Sequence, residues 1–130
     1  MKNPLLPAAL AALMLAAVPA GAQTTPAKSA YPTVSYTVHK YTCAGGITLT
    51  LSYLKYGPTG PNLAVLDYNG KQTGLAQAPS ADGARYATLG GLQPGDYGLE
   101  WWSKGRAGTL STLNRDGSKI TVATGCLTPR

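Results

Sequence analysis

The feature that most constrains this chain is an alternation of apolar and polar residues, cut at short intervals by turn residues. Val34, Tyr36 and Val38 alternate with Ser35, Thr37 and His39; Ile47, Leu49, Leu51 and Tyr53 alternate with Thr48, Thr50 and Ser52. Successive side chains of an extended strand point to opposite faces, so this pattern predicts strands with one buried face. Gly57-Pro-Thr-Gly-Pro61 ends the second run, and Asn69-Gly70 is a two-residue hairpin signal between strands over 62–68 and 71–78. Further strands are predicted over 84–89, 97–103, 107–113 and 118–123. They are separated by a polar loop at residue 79, a Gly/Pro-rich link over 90–96, Lys104-Gly105, and Asn114-Arg-Asp-Gly117. No segment after residue 22 has a helical period. Evenly spaced short strands predict an all-β fold, either a sandwich or a small eight-stranded antiparallel barrel. The barrel is favoured, because consecutive hairpins make an up-and-down sheet whose closure removes exposed edges.

The N-terminus is of another kind. Lys2 precedes an apolar, alanine-rich run over 5–18, and Ala20-Gly-Ala22 offers small residues for cleavage. Residues 1–22 therefore read as a cleavable secretory signal, too short an apolar run for a membrane span. No cysteine lies near the cleavage point, so no lipid-attachment site is offered. The expected product is periplasmic or secreted, with a mobile linker and first strand over 23–40 and a β-domain over 41–130. Without Lys2 it keeps ten basic and five acidic side chains, a net of +5 with no run of like charge. A clustered basic stripe with interleaved aromatics is absent, which argues against nucleic-acid binding. The charge is compatible with attraction to anionic cell-wall polymers.

Cys43 and Cys126 are the two cysteines. In an oxidising compartment their default is one intramolecular disulfide, which would staple the chain ends and stabilise the fold by roughly 3–5 kcal/mol. No metal is expected: His39 is the single histidine, and no ligand pair has metal spacing. No cofactor motif is present. An enzyme is the weakest of the functional classes, since His39 has no nucleophile motif around it and the five carboxylates are scattered. Trp101 and Trp102 are adjacent in a strand, so one faces the core and the other covers the base of the residue-79 loop or faces solvent.

The stretch Pro79-Ser-Ala-Asp-Gly-Ala-Arg-Tyr86, followed by Trp101-Trp-Ser-Lys-Gly105 between Cys43 and Cys126, resembles the bacterial inhibitors of C-type lysozyme, the membrane-bound and periplasmic family. The likeness spans roughly residues 41–126. It implies an eight-stranded barrel that plugs the lysozyme cleft, where a loop serine and the lysine of the Lys-Gly turn approach the two catalytic carboxyls. Carried over by residue, it points to Ser80, Asp82, Gly83, Arg85, Tyr86 and Lys104 as the lysozyme-binding set. Lys104 is the cationic residue, a charge-assisted donor to the carboxyl pair.

The chain departs from the family pattern before Gly83, where Asp82 replaces a serine. A carboxylate there is repelled by the enzyme's carboxylates unless it pairs with Lys104 or an enzyme arginine. Ser80 stands two residues earlier as another hydroxyl. Arg85 has two fates, contact with lysozyme or pairing with Asp82 or Glu100. Tyr86 is expected on the binding surface, with the core as its alternative. The 90–96 link is longer than usual and is expected to bear on the loop–lysine distance. The competing function is a carbohydrate- or cell-wall-binding β-module using Tyr and Trp faces.

Overall fold

The computed structural model describes Gly21 and residues 31–130. The signal reading over 1–22 and most of the 23–40 linker lie outside the described residues. Eight strands follow one another: β1 Val34–Thr42, β2 Thr48–Tyr56, β3 Asn62–Tyr68, β4 Lys71–Ala78, β5 Ala84–Leu89, β6 Gly98–Lys104, β7 Ala107–Leu113 and β8 Lys119–Leu127. Each pairs antiparallel with the next, and β1 meets β8, so the sheet is a closed up-and-down barrel. One short 3-10 turn, Ala44–Gly46, interrupts the all-β pattern between β1 and β2.

Turn chemistry accounts for the hairpins. Asn69 (φ 52°) and Gly70 (φ 73°) both take left-handed backbone, as the two-residue turn between β3 and β4 requires. The closing seam is thin. β1 and β8 share a single residue pair, Thr42 with Leu127. The Cys43–Cys126 disulfide lies beside it and joins positions 83 residues apart.

The core fills the barrel with inward residues of every strand. Leu51, Leu66, Leu99, Trp101 and Leu110 are fully buried. Trp101 meets Tyr41 edge-on at 4.8 Å and donates its indole N–H to the Tyr53 hydroxyl at 2.8 Å. Gly108 on β7 makes room for that indole, since a Cβ there would overlap the Trp101 ring. Burial pushes the Tyr41 and Tyr86 phenols above their ordinary pKa, and the nearby Tyr53 adds to the effect. Both are neutral packing groups, and the Tyr41 hydroxyl also shares a hydrogen bond with that of Tyr53 at 3.3 Å.

The alternation in β1 has a different phase from the one the apolar residues suggest. Tyr41 sets the inward parity, so Val34, Tyr36 and Val38 point outward, and all three are exposed. Ser35 and Thr37 are exposed as well. The first half of β1 runs past the point where β8 closes the barrel, so neither of its faces is covered from that side.

Candidate functional site

Antiparallel pairing places the two singled-out segments together. Ala84 of β5 lies opposite Ser103 of β6, so residues 79–83 and the Lys104-Gly105 turn leave the barrel at the same end. The 90–96 link joins the other ends of these strands, where Leu89 pairs with Gly98. It is held there by Lys71, whose ammonium donates to the Gly91 and Leu92 carbonyls at 3.1 and 3.3 Å. Its length therefore has no bearing on the loop–lysine distance, which corrects the expectation from sequence.

The loop is built on its own backbone. The Ser80 hydroxyl donates to the Asp82 carbonyl at 2.6 Å, and the Trp102 indole N–H donates to the same carbonyl at 2.9 Å. Trp102 thus covers the base of the loop while Trp101 fills the core, as two adjacent strand residues must. Gly83 is required twice over. Its φ is +68°, and a Cβ would sit 2.5 Å from the Ser103 carbonyl oxygen and 3.2 Å from the Trp102 ring.

Three ion pairs organise the charge. At the tip, Lys104 Nζ lies 2.7 Å from Asp82 Oδ2, with both side chains mostly exposed. Beneath the loop, on the outer face of the sheet, Glu100 is almost fully buried. It is bracketed by Arg85 on one oxygen and by Lys119, at 2.5 Å, on the other. Burial alone would raise the Glu100 pKa. Hydrogen bonds from Lys119 and Arg85, with their charges, outweigh it and hold the carboxyl below its ordinary range. The triad and the loop together line an open cleft of about 650 Å³, with Ser80, Asp82, Trp102 and Ser111 on its walls.

Of the six residues singled out, Ser80, Asp82, Gly83 and Lys104 share one rim. Arg85 points to the same outer face, but its guanidinium is engaged by Glu100 and approaches the Pro79 carbonyl at 3.5 Å. Tyr86 corrects its surface expectation. It pairs with Trp101 across β5 and β6, shares its inward parity, and is 7% exposed in the core against Tyr53. Lys119 was not singled out in the sequence. The available signal was Glu100 itself: a carboxylate in mid-strand demands partners. Among the described residues no cluster of His, Cys, Asp or Glu could hold a metal ion.

Comparison with known proteins places the chain in a family. A curated membrane-bound lysozyme inhibitor of C-type lysozyme from Cupriavidus necator is 39% identical over 74 residues, which cover 57% of this chain and 51% of that protein. The chain thus spans about half the length of the curated relative it matches. The crystal structure of a periplasmic lysozyme inhibitor of C-type lysozyme from Salmonella typhimurium superposes with a TM-score of 0.53 at 16% identity. That superposition covers 74% of this chain and all of that one, a likeness of fold. The sequence model of the membrane-bound lysozyme inhibitors of C-type lysozyme matches residues 41–119, more than half of the 130-residue chain, and the protein belongs to that family.

Proposed function

We propose that this protein inhibits C-type lysozyme by lodging residues 79–83 and Lys104 in the enzyme's active-site cleft. The observation that carries this reading is the adjacency of loop and lysine at one barrel rim, with Lys104 Nζ 2.7 Å from Asp82. A retaining glycosidase sets two carboxyl groups about 5–5.5 Å apart at the floor of its cleft. An ammonium on a short turn and a compact loop beside it match that target in size and chemistry. Gly83, the two hydrogen bonds to the Asp82 carbonyl and the contact of Arg85 with the Pro79 carbonyl hold the loop against the sheet, so little ordering is left for binding to impose. The family membership and the relatives' names support the same partner. The protein acts by occupancy and not by catalysis, and the signal over residues 1–22 delivers it to the periplasm or beyond. Among the described residues no helix is long and apolar enough to cross a membrane.

The net charge of +5 without the signal's Lys2 gives no long-range attraction to a basic lysozyme, so short-range fit supplies the affinity. The test is inhibition of a purified C-type lysozyme by the purified protein, alongside Lys104→Ala and the double change Ser80→Ala, Lys104→Ala. Truncating a charged group in a desolvated contact costs about 2–5 kcal/mol, a loss of roughly 30-fold or more. Undiminished inhibition by the double variant would remove these residues from the contact.

A second reading, a cell-wall-binding module, has one observation in its favour: Tyr36 and Tyr56 are exposed beside Val34 and Leu54 on the outer face of β1 and β2. Retention on peptidoglycan with no affinity for lysozyme would establish it.

A further inference from the structure

The inhibitor reading leaves Asp82 unexplained. A carboxylate at the tip faces the two carboxyls it is meant to plug, and two like charges a few ångströms apart repel strongly in a closed cleft. The structure shows how the tip carries this charge. Asp82 is paired with Lys104 through Oδ2 alone, and the pair is exposed at the rim. The ammonium keeps two further N–H donors, and the carboxylate keeps acceptor sites on both oxygens. The tip thus offers one strong donor and one strong acceptor side by side, with no net charge.

That combination fits one ionisation state of the enzyme. A lysozyme-type site holds a general acid whose pKa is raised to about 6 and a second carboxylate that stays ionised. Resting on the inhibitor reading, we propose that Asp82 makes the protein selective for the half-protonated catalytic pair. Asp82 accepts a hydrogen bond from the protonated general acid, while Lys104 donates to the ionised partner. When the general acid loses its proton, Asp82 loses a donor and meets a second negative charge. A serine at this position lacks the effect, because a hydroxyl accepts from a carboxylic acid and donates to a carboxylate equally well.

The surrounding charges leave this assignment intact. Besides Lys104 at the end of β6, the groups near Asp82 are Arg85 from β5, Glu100 from β6 and Lys119 from β8, and these three are tied to one another beneath the loop. Asp82 alone among them is a carboxylate at the exposed rim.

The experiment is calorimetric binding of a purified C-type lysozyme by the wild-type protein, Asp82→Ser and Asp82→Asn, between about pH 5 and pH 8, a window bracketing the general acid. One linked proton makes the ratio of wild-type to Asp82→Ser dissociation constants rise about tenfold per pH unit above about pH 6. Asp82→Asn follows Asp82→Ser, since its amide donates to an ionised carboxyl. The comparison cancels contributions from groups the proteins share. A ratio that stays constant across the window overturns the proposal while leaving the inhibitor reading in place. Absence of binding by all three proteins at every pH overturns the inhibitor reading, and this proposal with it.

Discussion

Gly83→Ala is the perturbation that most sharply separates the rim's geometry from a generic loop. The substitution forces an L residue into left-handed backbone at φ +68°, which costs about 1–2 kcal/mol. It also sets a methyl group 2.5 Å from the Ser103 carbonyl oxygen, with the Trp102 ring at 3.2 Å behind it. Overpacking of this kind adds about 1–3 kcal/mol. Against that strain stand the contacts that close the loop. Two hydrogen bonds to the Asp82 carbonyl contribute about 1 kcal/mol each, and the exposed Asp82–Lys104 pair contributes less than about 1. Strain and restraint are comparable, so the loop opens. Gly105→Ala is the control. Its φ is +58°, but no atom lies within 4 Å of the added methyl, so only the backbone term applies. Chemical unfolding and inhibition assays are run on both variants. Gly83→Ala loses no more than about 2–3 kcal/mol of stability, the strength of the contacts it sheds, yet loses most of its inhibition. Gly105→Ala loses about 1–2 kcal/mol and keeps the loop in place. Equal losses of inhibition in the two variants would refute the role assigned to the Gly83 contact.

Other consequences follow from the core and the seam. Opening the Cys43–Cys126 bridge frees a loop of 83 residues, which should cost about 4–5 kcal/mol in equilibrium unfolding, because one residue pair alone then joins β1 to β8. Tyr53→Phe strands the buried Trp101 N–H and should destabilise the fold by about 1–3 kcal/mol in the same assay. Glu100 is more acidic folded than unfolded, so its contribution is present above the ordinary carboxylate range and disappears as pH falls through the lower folded value. Glu100→Gln should therefore lower stability near neutrality and flatten the acid limb of a stability–pH curve, whereas an unchanged acid limb would show that the triad adds nothing.

Much of the barrel was legible in local patterns because local chemistry decides them. Asn69-Gly70 dictates a hairpin through backbone conformations few other residue pairs adopt, and adjacent Trp101 and Trp102 must divide between core and loop. The disulfide was expected from two cysteines in a chain read as exported. What escaped depends on which face a strand turns inward. The apolar set of β1 looks like a core set, but Tyr41 fixes the opposite parity and the strand outruns its partner β8. Tyr86 sits in a loop-like motif yet takes its direction from the register with Trp101. Cross-strand placement supplies intramolecular partners that the sequence left open: Glu100 for Arg85 and Lys104 for Asp82. Lys119, distant in sequence, was invisible until β8 brought it to Glu100.

The most direct test is to map backbone amide shifts in the isotopically labelled protein as unlabelled C-type lysozyme is added. Perturbations concentrated on residues 79–83 and 102–106 are predicted, with the outer face of β1 to β4 unmoved. Shifts centred on Tyr36 and Tyr56, with the loop and Lys104 silent, would contradict the account.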